Sequence, residues 1–204
     1  MSKVKRLIIQ FAKEPVAGKV KTRLLSEFSL SETVDLHCEL VLATADTLLK
    51  ADADSVYLSV GGDLTHPFFA PFKAQGFTLV PQVEGDLGVR MWAAINKALG
   101  DFDQVLLVGS DCPVLTVKVL DQAFKVLSDG YPLVLNPAED GGYVLIGACR
   151  PLPIEVFSGV HWGTATVLEQ TLENCIHADV RVSLLPELWD VDHPEDVRRW
   201  LAIK

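Results

Sequence analysis

Apolar positions along the chain fall into two alternating periods. Leu7-Ile8-Ile9 is an unbroken apolar run within residues 4–10, as expected of a strand buried on both faces. Ser29-Leu30-Ser31-Glu32 then has the form of a capping box. It opens a helix predicted to run to about Lys50, with Leu30, Val34, Val41, Ala45 and Leu48 at helical spacing. Strand-like and helix-like stretches continue in turn: a strand over 55–60 ending at Gly61-Gly62, a short helix over 68–75, a strand over 77–80 and a helix over 89–99. Residues 104–109 form the clearest buried strand, centred on Val105-Leu106-Leu107-Val108. Thr116 caps a further helix reaching Ser128. Strands over 133–136 and 143–147 flank the turn-forming Asp140-Gly141-Gly142. A helix near 164–174, a strand over 180–184 and a last helix after Pro194 complete the series. Strands alternating with helices predict an α/β protein whose mostly parallel sheet carries helices on both faces. The late hairpin-like pair makes that sheet mixed. In such sheets ligands sit beyond the carboxyl ends of the strands.

Composition narrows the class. The chain has 204 residues, 49% of them hydrophobic, which fits a single domain over 1–204 with a sizeable core. The formal net charge of −9 argues against a nucleic-acid-coating protein, which needs a broad basic face. No apolar stretch approaches the roughly 18 residues needed to span a bilayer. The basic amino terminus is followed by too short an apolar run for a signal peptide, so a cytoplasmic protein is expected. Cys38, Cys112, Cys149 and Cys175 are scattered, with no C-x-x-C pair, and read as reduced thiols.

Charge is distributed unevenly. The first twenty-five residues carry Lys3, Lys5, Arg6, Lys13, Lys19, Lys21 and Arg23 against the single acid Glu14. Lys3 and Lys5 read as solvated terminal charges. Lys13, Lys19, Lys21 and Arg23 lie just past the first strand, on a loop stiffened by Pro15 and loosened by Gly18, where clustered cations suit a phosphate chain. Two common phosphate loops are excluded. Gly18-Lys19 is followed by Val20, and Lys13 holds the first glycine position of a P-loop; a dinucleotide fingerprint needs three glycines and this loop has one.

Further motifs follow the strands. In Gly109-Ser110-Asp111-Cys112-Pro113 an acid leaves the buried strand, either to hold Mg²⁺ against phosphate oxygens or to bond turn amides. Cys112 has no adjacent histidine to activate it. Gln82-Val83-Glu84-Gly85-Asp86-Leu87-Gly88-Val89-Arg90 is a glycine-spaced loop opening a helix; Gln82, Asp86 and Arg90 are candidates for base or acceptor contacts. Asp140, Gly141 and Gly142 make a tight turn or allow close ligand approach. In His161-Trp162-Gly163-Thr164, Thr164 is the expected helix N-cap. In Asp190-Val191-Asp192-His193-Pro194-Glu195, Asp192 either begins a helix or supplies a second metal carboxylate. His37, His66 and His177 show no motif.

Taken in order, Phe-Ala-Lys-x-Pro-x-x-Gly-x-x-Lys-Thr-Arg-Leu, Gly-Asp-Leu-Gly-x-Arg-Met, Gly-Ser-Asp-Cys-Pro, Glu-Asp-Gly-Gly-Tyr, Trp-Gly-Thr and Asp-Val-Asp-x-Pro-Glu-Asp resemble the DUF2064 proteins. These are glycosyltransferase-like members of the nucleotide-diphospho-sugar transferase superfamily. The resemblance covers nearly the whole chain. It implies a three-layer α/β/α, glycosyltransferase-A fold with a mixed, mainly parallel sheet. Similarity of the Asp-Cys-Pro turn to molybdenum-cofactor nucleotidyltransferases implies Mg²⁺ (or Mn²⁺) at Asp111, and similarity of the Asp-x-Asp-x-Pro-Glu-Asp segment to sugar-acid cytidylyltransferases implies, more weakly, a second ligand at Asp192. The partners expected are a nucleotide or nucleotide-sugar and a small acceptor, with no nucleic acid. The Lys-Thr-Arg-Leu loop is similar to that of phospholactate guanylyltransferases and the Asp-Cys-Pro turn to that of molybdenum-cofactor nucleotidyltransferases. Nucleotidyl transfer to a small phosphorylated acceptor is therefore the first expectation, glycosyl transfer from a nucleotide-sugar the second, and a non-catalytic nucleotide-binding module the third. Lys21, Arg23 and Asp111 are the expected catalytic groups. Lys13, Gly18, Lys19, Gln82, Asp86 and Arg90 are expected at the nucleotide. Asp140, Gly141, Gly142 and Trp162 are expected at the acceptor or donor. This chain reads Ser110-Asp111-Cys112 where many glycosyltransferases of this fold carry Asp-x-Asp, which weighs against sugar transfer.

Overall fold

A computed structural model describes residues 3–204; Met1 and Ser2, the start of the amino-terminal segment, lie outside it. The chain alternates strand and helix as the apolar periods require. Seven strands form one sheet: β1 (Arg6–Lys13), β2 (Ser55–Gly61), β3 (Phe77–Pro81), β4 (Gln104–Val108), β5 (Leu133–Pro137), β6 (Tyr143–Ala148) and β7 (Val182–Leu184). Their spatial order is β3-β2-β1-β4-β6-β5-β7. Among the described residues only β6 runs against its neighbours, pairing antiparallel with β4 and β5, while the β1–β2, β1–β4, β2–β3 and β5–β7 pairs are parallel. The late hairpin thus supplies the one reversed strand, and six strands point their carboxyl ends the same way.

Six α-helices flank the sheet: α1 (Leu30–Leu48), α2 (Ala70–Ala74), α3 (Leu87–Ala98), α4 (Val117–Ser128), α5 (Val167–His177) and α6 (Pro194–Leu201). Successive strand residues point to opposite faces, and β1 shows the consequence. Ile8 packs with Val41, Leu48, Leu120 and Phe124 on the α1–α2–α4 side. Leu7 and Ile9 pack with Met91, Ile95 and Cys175 on the α3–α5 side. Two apolar layers enclose the sheet, which is why its central strands read as unbroken apolar runs. A smaller third cluster joins Leu24, Leu40, Trp189, Val191, Val197 and Trp200, and pins the carboxyl-terminal segment beside the basic loop.

Several boundaries differ from expectation. β1 extends to Lys13, so this lysine ends a strand rather than opening a loop. The capping box at Ser29 and Glu32 forms in full. Thr116 holds the N-cap position of α4, but its side chain makes no capping bond. Thr164 is not the cap of α5: that position falls to Thr166, and the Thr164 hydroxyl donates instead to the His161 carbonyl at 2.7 Å. Helix α6 is capped at His193, which leaves the Asp192 side chain free for another role.

Candidate active site

Six parallel strand ends and the start of β6 meet on one edge of the sheet, and the candidate chemistry gathers there. The basic amino-terminal residues divide between the two ends of β1. Lys3 pairs with Asp54 at 2.7 Å and Arg6 with Asp52 at 2.8 Å, at its amino end. Lys13 ends the strand and Lys19, Lys21 and Arg23 lie past it, and all four line a cavity of about 370 Å³ together with Gln82, Arg90, Asp111 and Asp192.

The loop is shaped for this task. Gly18 bends it with φ +76°, and Lys21 adopts the left-handed conformation, φ 47° and ψ 40°, immediately before a 3-10 turn over Thr22–Ser26. A non-glycine residue there is uncommon and is held by its side chain. The Lys21 side chain is only 5% exposed; its Nζ lies 2.9 Å from Asp111 Oδ1 and donates to the Val191 carbonyl at 2.5 Å. Val191 N–H in turn donates to the Asp111 carbonyl at 2.9 Å. Lys21 therefore ties the basic loop to the ends of two other segments. Arg23 pairs with Asp192 and donates to the Gly163 carbonyl at 3.1 Å.

Asp111 is placed by buried polar groups under it. Gln10, fully buried in β1, donates through Nε2 to the Val41 carbonyl at 2.9 Å and to Ser110 Oγ at 3.0 Å. Ser110 Oγ donates to the Phe11 carbonyl at 2.7 Å. These bonds lock the turn after β4 onto β1, and Asp111 projects from it. His37 reaches the same cavity from α1, with Nε2 2.9 Å from the Lys13 carbonyl. Burial lowers its pKa below 6.5, opposed by its backbone hydrogen bond and by Asp111, so the neutral ring donates to the carbonyl.

On the β3 side, Gln82 Nε2 donates to the Ser59 carbonyl at 2.9 Å, and its Oε1 accepts from Arg90 at 3.2 Å. Asp86 lies outside the cavity wall because its carboxylate caps α3, accepting from Val89 N–H at 2.8 Å. Gly18 acts as the bend rather than as a wall. Gly88 has a packing reason: a Cβ there would fall 2.7 Å from the Trp162 ring.

A second cavity, of about 310 Å³, adjoins the first and shares Arg23, Leu87, Gly109, Asp111 and Asp192 with it. Asp140, Gly142 and Trp162 line it, with Tyr143 and Asp190. Gly141 does not; a Cβ there would sit 2.1 Å from the Ala165 carbonyl oxygen, so it serves turn packing. Tyr143 and Trp162 meet edge to face, ring centres 6.4 Å apart.

Asp190 was missed by sequence reasoning. Burial pushes its pKa up to about 7, reinforced by Asp140, Asp111 and Asp192 and opposed by Lys21. The signal available was the alternation Asp190-Val191-Asp192, in which both carboxylates project to the same side of an extended segment. Cys112 is buried and its thiol is pushed up to about 12, so it is inert as a nucleophile.

Asp111 and Asp192, 44% and 27% exposed, open onto the shared wall of both cavities. Among the described residues no group of three or more His, Cys, Asp or Glu side chains could hold a metal ion as a cage. Two carboxylates with open sides fit Mg²⁺ or Mn²⁺ shared with phosphate oxygens and water, the usual manner of Mg²⁺. Among the described residues no helix is long and apolar enough to cross a membrane.

The family profile described as "Uncharacterized protein conserved in bacteria (DUF2064)" matches residues 44–164. No curated protein matches the chain. Among solved structures, a candidate nucleotide-diphospho-sugar transferase from Desulfovibrio desulfuricans G20 is 34% identical, with a TM-score of 0.83 over 94% of this chain and 84% of that one. A CMP:2-keto-3-deoxy-manno-octonic acid synthetase complexed with CTP is 12% identical, with a TM-score of 0.62 over 98% of each chain. Glucosyl-3-phosphoglycerate synthase from Mycobacterium tuberculosis, in complex with Mn²⁺, UDP and glucosyl-3-phosphoglycerate, is also 12% identical, with a TM-score of 0.58 over 96% of this chain and 75% of that one. The last two likenesses establish the fold alone. It is the three-layer, glycosyltransferase-A type.

Proposed function

The chain belongs to the DUF2064 family, and we propose that it is a metal-assisted transferase whose donor is a nucleoside triphosphate or a nucleotide-sugar. The observation that carries this is one cleft lined by Lys13, Lys19, Lys21, Arg23 and Arg90 together with Asp111 and Asp192, in which Lys21 pairs with Asp111 and Arg23 with Asp192. The cations neutralise a phosphate chain, and Gln82 and Arg90 face the nucleoside end. A divalent ion bound by Asp111 and Asp192 would supply neutralisation of charge on the leaving phosphates. Lys21 and Arg23, now paired with those carboxylates, would turn to the phosphate oxygens when the ion takes their place.

In the nucleotidyl reaction an acceptor oxygen forms a bond to the α-phosphorus, the bond from that phosphorus to its bridging oxygen breaks, and pyrophosphate leaves with the electron pair. Positioning and charge stabilisation carry most of such a reaction. The glycosyl reaction breaks the bond between the sugar and the diphosphate instead, and a nucleoside diphosphate leaves against the same cations. The aromatic wall of the adjoining cavity, Tyr143 and Trp162, favours this second reading. Assays of pyrophosphate release from a triphosphate panel, set against diphosphate release from a nucleotide-sugar panel, separate the two. Release from neither panel, with nucleotide still bound, would leave the non-catalytic binding module in place of both.

A further inference from the structure

The two cavities carry opposite charge. The first sets five cations, Lys13, Lys19, Lys21, Arg23 and Arg90, against Asp111 and Asp192. The second has Arg23 alone against Asp111, Asp140, Asp190 and Asp192. Counting Asp190 as neutral still leaves three carboxylates against one guanidinium. A divalent ion shared by Asp111 and Asp192 cancels their two charges and leaves Arg23 facing Asp140 and Asp190. In neither state does the second cavity have the cationic surplus that a phosphate dianion needs.

Its remaining walls are apolar apart from Thr164. Leu87, Met91, Val144 and Val167 line it beside the crossed rings of Tyr143 and Trp162. One polar atom on those rings, Trp162 Nε1, is buried without a partner in the protein, while the Tyr143 hydroxyl turns to the buried Thr171. Aromatic and aliphatic walls with carboxylates at the rim match a ring that has C–H faces and hydroxyl edges. Carboxylates accept hydrogen bonds from hydroxyls, and ionised ones accept them strongly.

We propose that the second cavity receives an uncharged polyhydroxylated group, a sugar ring or a polyol, and discriminates against its phosphate ester. This rests on the donor reading above only for the role of the first cavity. It departs from the phosphorylated acceptor expected from the sequence, because the cations that would recognise that phosphate all lie on the donor side except Arg23. Two routes bring such a group to the cavity, as the sugar of a nucleotide-sugar or as a separate acceptor, and the titration below distinguishes them.

Saturation-transfer NMR on the full chain with Mg²⁺ and UDP tests this, using glucose, mannose, myo-inositol and glycerol beside glucose 6-phosphate, myo-inositol 1-phosphate and glycerol 3-phosphate. At least one neutral probe is expected to bind about tenfold or more tightly than its own phosphate ester, since an ester brings like charges together. Trp162→Ala should abolish that signal. Asp140→Asn keeps the acceptor for the Gly142 N–H, 2.8 Å away, so it remains folded, and it should shift preference several-fold toward the ester. Repeating the titration with UDP-glucose in place of UDP separates the sources: competition marks the donor's sugar, and additive binding marks an acceptor. Esters binding more tightly than their parents would overturn the proposal, as would silence from every neutral probe. Loss of UDP binding with the polyol signal intact would sink the donor reading and leave this one standing.

Discussion

At the scale of single residues, Lys21 and Asp111 are the pair on which the site turns. The Lys21 ammonium is almost wholly buried against Asp111 and the Val191 carbonyl. Asp111→Asn should raise the barrier by about 2–4 kcal/mol, the usual effect of losing one preorganised charge contact, and steady-state turnover on the productive donor reads it. His37 provides a separate, pH-dependent check. Its folded pKa is depressed by burial, so the native state resists protonation that the unfolded chain accepts. The stability contributed by the neutral ring is full above the unfolded value, about 6.5, and is lost as pH falls through the lower folded value. His37→Gln should therefore flatten the decline in thermal midpoint below about pH 6.5, seen by melting parent and variant across that range; parallel curves would contradict it. Lys13, Lys19, Lys21 and Arg23 were legible because cations crowded onto one loop of an acidic chain stand out. Gln10, His37 and Asp190 were not, because their roles depend on burial. Gln10 is a polar residue hidden in an apolar run, and its bonds to the Val41 carbonyl and to Ser110 explain it.

Elements set these residues in place, and their tight turns can be tested as units. Gly76 and Gly141 both have positive φ, +102° and +86°. Replacement by alanine strains the backbone at both, by about 1–2 kcal/mol. At Gly76 the new methyl meets nothing within 4 Å, whereas at Gly141 it meets the Ala165 carbonyl oxygen at 2.1 Å. Gly141→Ala should thus cost about 1–3 kcal/mol more than Gly76→Ala through overpacking, measured by denaturant unfolding. Equal losses would show that the β5–β6 turn does not dock as described. Ser29→Ala, which removes half of the capping box of α1, should cost about 0.5–2 kcal/mol without weakening nucleotide binding. Most strands and helices were legible from apolar period and cap chemistry. The failures lie at ends: β1 runs three residues beyond its expected end at Gln10 to Lys13, because pairing with β2 continues to Gly61. The cap of α5 moved to Thr166 because the Thr164 hydroxyl already bonds His161.

For the whole molecule, the alternation of elements conveyed a mixed, mainly parallel sheet with its ligand edge at the strand ends. Strand order was not legible, since the placement of β6 between β4 and β5 follows from long-range pairing. That placement brings the Asp140 turn and the Asp190–Asp192 segment beside Asp111, and so sets an acidic cavity against a cationic one. On the proposed function, the cationic cavity holds a nucleotide's phosphates together with a divalent ion on Asp111 and Asp192. Isothermal titration of a nucleoside triphosphate and nucleotide-sugar panel, with and without Mg²⁺, tests it most directly when run on the parent and on folded Lys21→Met. The expected result is at least one Mg²⁺-dependent ligand whose affinity falls by roughly 10- to 100-fold in the variant, as for a charge-assisted contact of about 1.5–3 kcal/mol. Binding of no nucleotide by the parent, or equal affinity in parent and variant, would contradict it.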